Sequence, residues 1–496
     1  MPGSFSGIEL ARRALQTHQI SLETTGHNLA NAGTAGYSRQ QAVHSATDPY
    51  TNPVPFNKLT VGQLGTGVEV RMIRRIRNEY LDTQVRTSTS AYGYWATQEQ
   101  LYARIESIFT EPTSDGIGDV MTNFFEAWHD LNNSPQDPGV KAAVAELGDE
   151  LANLMRESHS QLGNISESIV KLKDDGSGNL QVDGGQLKDQ VDVVNDILKQ
   201  VRDLTQGIKK VYAYGNQPND LLDKRDLLLD QLAEYVPLNV INKNDSGEIE
   251  LQIFGQEVDF KKKDADYPVA TIQYDETNDD ILLTMNSITG SSTVSLDNYT
   301  DNAPPAGSIL SLEMTRNKVE EYRANLVDLS EALKKMVNDQ APFDADSLST
   351  DEFFSGTLGD ANDVFRVNPE IMTDPTVIDG EKALNVARWF TISMDGGNVS
   401  VGGVDFATYD LDGATFSEYY NAILTNIGAN SSTAMNMTDN QYAINEQILS
   451  VRDSAQGVNV DEELSMLLQF QYGYQASARV MTTLDELLDH LINRTA

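Results

Sequence analysis

Metal-binding or acid–base chemistry would begin with the histidines, and this sequence has six: His18, His27, His44, His129, His159 and His490. No two lie four residues apart, the spacing that puts two imidazoles on one helical face around a zinc ion. His18 and His27 are nine residues apart, which at about 100° per residue sets them on opposite faces of one helix. A nucleophile elbow is missing too, since Asn398-Val-Ser-Val-Gly402 lacks the first glycine of G-x-S-x-G. Gly62, Gly65 and Gly67 lead into a strand-like run rather than a helix, so they do not form a dinucleotide fingerprint. The acidic turn DETNDD at 275–280 lacks the ligand spacing of a contiguous calcium loop. Cysteine is absent, which removes disulfides and thiolate chemistry. The expectation is a protein with no catalytic residues, no cofactor and no metal ligands, and not an enzyme.

The charge narrows the partners. The formal net charge is −38, but residues 1–86 carry 9 Lys and Arg against 6 Asp and Glu, while the rest carries 27 against 68. A chain this acidic is repelled by phosphate backbones, so no nucleic acid is expected. The basic run Arg71, Arg74, Arg75 and Arg77 is expected to balance Glu69, Glu79 and Asp82 nearby. No window approaches the roughly 18 apolar residues of a membrane span. The opening MPGSFSGIELARRALQ also lacks the charged-then-apolar order of a cleavable secretory signal.

With the chemistry bare, the pattern of helices becomes the main signal. A first helix is predicted from a capping box, Ser6 with Glu9, and Ile8, Leu15, Leu22 and Leu29 recur along it every seven residues. Gly33 and Gly36 end it, and residues 47–67 read as an extended, proline-rich linker. The far end mirrors this. Asn459 is the expected N-cap, and Val460, Leu467, Tyr474, Met481 and Leu488 repeat every seven residues. Leu464 widens the stripe, and Phe470, Ser477, Leu484 and Leu491 form a companion row over about 50 Å of helix.

At 496 residues the chain should divide into several domains. The expected fold class is multidomain and mainly α with β insertions: a terminal coiled-coil pair, a central bundle of long helices and an inserted all-β domain. A strand at 68–72 leads into a helix from about Glu79. Apolar positions at 4-3-4 spacing mark further helices at 140–158, 187–201 and 319–336. Alternation at Ile249, Leu251 and Ile253, and again at Leu310, Leu312 and Met314, marks 237–314 as β. Residues 343–415 read as mixed, with strands at 389–394 and 398–404, followed by a helix at 416–429. The expected units are 1–67 with 450–496, then 68–236 with 315–342 and 416–449, then 237–314, then 343–415.

Three stretches carry a family resemblance: NLANAGTAGYSRQ (28–40), GTGVEVRMIRRIRNEYLDTQVR (65–86) and GVNVDEELSMLLQFQYGYQASARVMTTLDELLDHLI (457–492). They resemble the flagellar axial proteins of bacteria, the group of rod, hook and hook-associated proteins. The matching motif positions are Asn28, Asn31, Thr34, Gly36, Tyr37, Arg39 and Gln40, with Leu222, Asp223, Arg225 and Asp226 in NDLLDKRDLLLDQL. Tyr37-Ser-Arg-Gln40, NDLLDKRD and GVNVDEE point within that group to a hook-associated member, with a hook or distal-rod protein, or an axial protein carrying an enzymatic insertion, as alternatives. Ala35 stands where the family often has proline. The resemblance implies a ring of subunits joining hook to filament, secreted through the flagellar type III channel without a cleavable signal and working outside the cell. The implied partners are the flagellar hook protein, hook-associated protein 3, further copies of this chain, and an export chaperone on the C-terminal segment. The stripes Ile8, Leu15, Leu22, Leu29, Val460, Leu467, Tyr474, Met481 and Leu488 are the expected assembly surface.

Overall fold

In a computed structural model of the chain, the described residues are 6–49, 65–109, 116–174, 176, 179–243, 247–258, 269–287, 290–299, 304–340, 352–395, 400–401, 404–405 and 410–493. Most of the linker expected at 47–67 lies outside them. The fold is mostly helical, with small sheets inserted. Helix α1 (Ser6–Ala30) is followed by the antiparallel pair β1 (Gln40–Ala46) and β2 (Val68–Arg75). Then come α2 (Glu79–Glu106), α3 (Ile117–Asn133), α4 (Pro138–Ile169), the hairpin β3 (Lys171–Asp174) and β4 (Leu180–Gly184), α5 (Gln186–Ala213) and α6 (Asn219–Tyr235). Two three-stranded antiparallel sheets follow. One is β5 (Leu238–Lys243), β6 (Glu248–Ile253) and β7 (Gln256–Val258); the other is β8 (Ala270–Asp275), β9 (Asp280–Ser287) and β10 (Gly290–Ser295). Helix α7 (Ser308–Asp339) returns to the long helices, and the short helices α8 (Pro369–Thr373) and α9 (Ala383–Arg388) stand with short strands and 3-10 turns among the described residues that follow it. The chain closes with α10 (Phe416–Gln456) and α11 (Val460–Asn493).

Local chemistry accounts for the main boundaries. Asn78 caps α2 through a bond from the Tyr80 amide, and Asp137 caps α4, whose first turn holds Pro138. Thr415 and Glu418 form a full capping box at the start of α10. At α1 the expected box gives way to an ion pair: Glu9 is gripped by Arg12 at 2.7 Å and Arg13 at 3.0 Å. Those guanidiniums hold the Glu9 carboxyl down at about 2.

Three expectations need correction. Leu310, Leu312 and Met314 belong to α7, which already begins at Ser308. Ile309, Leu310 and Leu312 are all fully buried, so the alternation reflects a helix enclosed on most sides rather than a two-faced strand. Residues 389–391 form a 3-10 turn after a short helix at Ala383–Arg388, with only Met394–Asp395 in strand. There Trp389 is fully buried as an anchor, which mimics the apolar start of a strand. The helix expected at 416–429 runs on to Gln456; its later turns carry a sparse apolar rhythm, Met435, Tyr442 and Leu449, diluted by the polar residues between them.

The core lies between α3, α4 and α7. Phe124 stands 6.1 Å from Trp128, 6.0 Å from Phe353 and 5.8 Å from Phe354 between ring centres, and all four are sealed from solvent. Such aromatic packing adds to plain area burial. Phe124→Ala is expected to lower unfolding stability by about 3–5 kcal/mol in a denaturant titration.

Candidate assembly interface

Helices α1 and α11 lie against each other antiparallel. Gly7 faces Leu484, His18 faces Gly473 and Phe470, and Asn28 bonds Glu463, so the register is constant along the pair. The contact is tight in the middle. A Cβ at Gly473 would sit 2.5 Å from the His18 ring, so only glycine fits there. Burial then holds the His18 imidazole below its ordinary pKa.

The face that α1 turns to the hairpin is polar. Thr17, Ser21, Thr24 and Asn28 are buried at 4-3-4 spacing, with the Thr17 hydroxyl donating to the Val68 carbonyl at 3.2 Å and Ser21 2.8 Å from His44. The predicted stripe Ile8, Leu15, Leu22 and Leu29 is half-buried at every position. On α11, Leu467, Met481 and Leu488 are half-buried, as are Phe470, Ser477 and Leu484, but Val460 and Tyr474 are exposed. Asn459 caps α11 as expected, accepting from the Asp461 amide at 3.0 Å. Heptad counting missed further exposed apolar residues on α11: Leu468, Tyr472 at 67% exposure, Val480 and Leu487 at 61%. With Val460 and Leu464, Leu468 and Tyr472 recur every four residues, a helical row that a strict seven-residue search passes over.

Among the motif residues Asn28, Gln40, Leu222, Asp223, Arg225 and Asp226 are buried, Asn31, Tyr37 and Arg39 are half-buried, and Thr34 and Gly36 are exposed; together they tie the terminal helices to the rest of the chain. The Asn28 amide donates to the Gln40 carbonyl at 2.8 Å and to fully buried Glu463 at 3.0 Å, while its oxygen accepts from the Gln40 amide and the Tyr37 hydroxyl. Burial, with the charges of Asp220, Asp223 and Glu463 behind it, holds the Tyr37 phenol well above its usual range, as the proton donor this bond needs. Arg39 pairs with Glu463 at 2.7 Å and Glu462 at 3.0 Å. Asn31 and Thr34 bond locally to close the turn after α1. Gly36 adopts φ +75°, and a Cβ there would press on Leu227 at 3.0 Å, so the turn needs glycine twice over.

Beneath this lies a network of carboxylates and guanidiniums. Arg75 reaches Asp223 at 2.7 Å and Asp226 at 2.9 Å, and Arg77 reaches Asp82 at 2.8 Å and Asp226 at 3.3 Å. Asp230 joins Arg86 at 2.9 Å to Arg452 of α10 at 2.6 Å. Arg77 therefore balances Asp82 as expected, but Arg75 finds partners on α6, nearly 150 residues away. Leu222 packs as a buried apolar side chain, and Arg225 donates to the Gly247 carbonyl at 2.8 Å. Burial works against charge on Asp226, but Arg77, Arg75, Arg86 and Arg225 outweigh it and hold the carboxyl below its ordinary value.

Two outcomes follow from this geometry. Asp226→Asn strands buried guanidiniums and is expected to cost about 3–5 kcal/mol at neutral pH. A depressed carboxyl stabilises the fold above its unfolded pKa of 3.8 and loses that contribution as pH falls through the folded value. Unfolding curves of wild type and variant should thus converge below pH 3.8. Gly473→Val should push α11 off His18, exposing α11 to limited proteolysis without changing the near-UV signal of the Trp128 core.

Comparison with known proteins agrees with this architecture. A family model described as the flagellar hook-associated protein FlgK helical domain matches residues 102–354, just over half of the chain. A second, the flagellar basal body rod FlgEFG protein C-terminal model, matches residues 452–494. The chain is similar to flagellar hook-associated protein 1 of Bacillus subtilis (strain 168), 28% identical over 521 residues and 99% of each chain. It is 21% identical over 569 residues to flagellar hook-associated protein 1 of Escherichia coli (strain K12), covering 98% of this chain and 99% of that one. Among solved structures, the flagellar hook junction protein FlgK from Burkholderia pseudomallei overlays 53% of this chain and 44% of that one, with TM-score 0.40 and 19% identity. The antiparallel pair of terminal helices, the motif residues that tie it to the rest of the chain and the family model matched over half of the chain converge on one assignment: the chain belongs to the FlgK family of flagellar hook-associated proteins.

Proposed function

We propose that the chain is a structural subunit of the extracellular flagellum that forms the junction ring between hook and filament and polymerises through α1 and α11. The observation that carries this is the exposed apolar row Val460, Leu464, Leu468 and Tyr472, with Val480 and Leu487, along a helix whose other side already docks on α1. A lone subunit leaves that surface in water. Burying a leucine-sized side chain contributes roughly 1.5–3 kcal/mol, so several per subunit around a ring offset the cost of ordering. The half-buried stripe Ile8, Leu15, Leu22 and Leu29, with Leu467, Tyr474, Met481 and Leu488, supplies the remaining contact.

On this reading the terminal helices, 1–67 with 450–496, form one coiled-coil unit. The long helices at 68–236, 308–342 and 416–449 form a bundle, and 237–307 and 343–415 are its insertions. The hook protein and hook-associated protein 3 are the neighbours on either side. Export through the type III channel calls for a chaperone, and the apolar rows of α11 are what it would shield. No helix among the described residues is long and apolar enough to cross a membrane, which fits a subunit that works outside the cell.

Deleting 460–496 is expected to leave a folded central region that no longer joins hooks to filaments; normal filaments on cells carrying the deletion would reject the reading. A sharper variant is Leu468→Asp with Tyr472→Asp. It should melt like wild type, because both side chains face water, yet give bare hooks and shed filament protein in electron micrographs.

A further inference from the structure

Away from the terminal helices, where the β8–β10 sheet meets α7, three acidic side chains converge. Asp280 opens β9, Asp297 begins the 3-10 turn after β10, and Glu313 projects from the second turn of α7. One carboxylate oxygen from each lies within 4.8 Å of the other two. The backbone pins them there, since the Leu296 amide donates to the Ile281 carbonyl at 3.2 Å and so ties residue 297 beside residue 280.

The cluster is enclosed and carries excess negative charge. Glu313 is 0% exposed and Asp280 is 4% exposed, and the buried Oδ1 of Asp280 has no hydrogen-bond partner. Leaving such an oxygen unmatched in the interior is costly. Arg316 bonds both oxygens of Glu313 at 2.7–3.1 Å, but one guanidinium faces three carboxylates and, beside them, Asp279. Burial, with Asp297 and Asp280 adding repulsion, pushes the Glu313 carboxyl up to about 7 in spite of Arg316. Burial and the charge of Asp280 likewise raise Asp297.

We propose that Asp280, Asp297 and Glu313 hold a hard divalent cation of the calcium type, which locks the β8–β10 sheet onto α7. All three donors are carboxylate oxygens, the set that hard cations select over softer metals. A shell of oxygens at about 2.4 Å has a diameter that accommodates the spread seen here. Arg316 does not obstruct the ion. It also donates to the Asp279 carbonyl at 2.8 Å and lies 3.2 Å from its Oδ1, so it keeps two acceptors while Glu313 is shared. Asn317 donates to Asp297 and orients it. Asp279 itself holds φ +50°, turning the chain so that Asp280 is buried while residues 276–279 of the acidic turn stay at the surface. That turn is the DETNDD segment, which fails as a contiguous calcium loop because two of the ligands come from other elements.

The test uses the purified full chain, stripped with a chelator and titrated with calcium chloride by calorimetry, with magnesium chloride as a parallel arm. Saturable binding of a single calcium ion per chain and a higher melting temperature with calcium than with chelator are expected. Asp280→Asn should keep the helical circular dichroism and weaken calcium binding at least about tenfold. Should that variant misfold, Asp297→Asn, at a partly exposed position, makes the same comparison. No saturable binding in wild type would overturn the proposal. So would calcium binding of equal strength in the variants, which would place the ion on the acidic surface instead.

Discussion

Asp226 and its guanidinium neighbours are the point on which the rest of the molecule depends. Arg75 and Arg77 come from the end of β2 and the turn after it, Arg86 from α2, and Asp223, Asp226 and Asp230 from one face of α6. Arg452, near the end of α10, closes the circuit. Buried ion pairs of this kind contribute little net stability over apolar packing, yet removing one partner is costly. Their value is geometric, because each charge has one arrangement that satisfies it. The hairpin against which α1 packs is therefore held to α2, α6 and α10 in one arrangement.

The seam between α1 and the hairpin follows the same logic. Threonine, serine and asparagine fill the inward row, and Glu463 is fully buried only because Arg39 and Asn28 satisfy it. A polar seam of this sort specifies one register, whereas a leucine seam tolerates sliding. The leucines are left on the flanks of the helix pair, half in water. A chain built this way folds its terminal helices against itself with hydrogen bonds and leaves apolar side chains at its surface.

Much of this was legible in the sequence where a period repeats. The helices at α4, α5 and α7, the Asn459 cap and the break at Gly36 all follow from spacing and turn chemistry. Spacing alone missed whatever depends on distant partners. Arg75 reads as the neighbour of Glu69 and Glu79 until α6 is folded beside it, and Asp280 reads as a surface acid until Glu313 arrives on α7. Leu468 and Leu487 escaped because they stand outside the heptad rows, and in the later turns of α10 the apolar rhythm of Met435, Tyr442 and Leu449 is diluted by the polar residues between them. The motif residues Asn28, Arg39, Gln40, Asp223 and Asp226 make contacts within the chain, to partners that spacing does not reveal.

Helix α10 has one more consequence. It runs 41 residues without a break, about 60 Å, and only Gly457, Val458 and Asn459 separate it from the 34 residues of α11. Its last turn is fastened by Arg452 to Asp230 and by the Gln456 carbonyl to the Arg39 amide at 3.0 Å. A pull on α11 is therefore delivered within three residues to the end of a rigid rod and carried along its axis. Backbone hydrogen bonds along that axis take a pull in series, so the anchors at Arg452 and Gln456, rather than the helix by itself, hold the junction in place. The short link between α10 and α11 is thus pinned on its α10 side, and a displacement of α11 is felt first at Asp230 and Arg39.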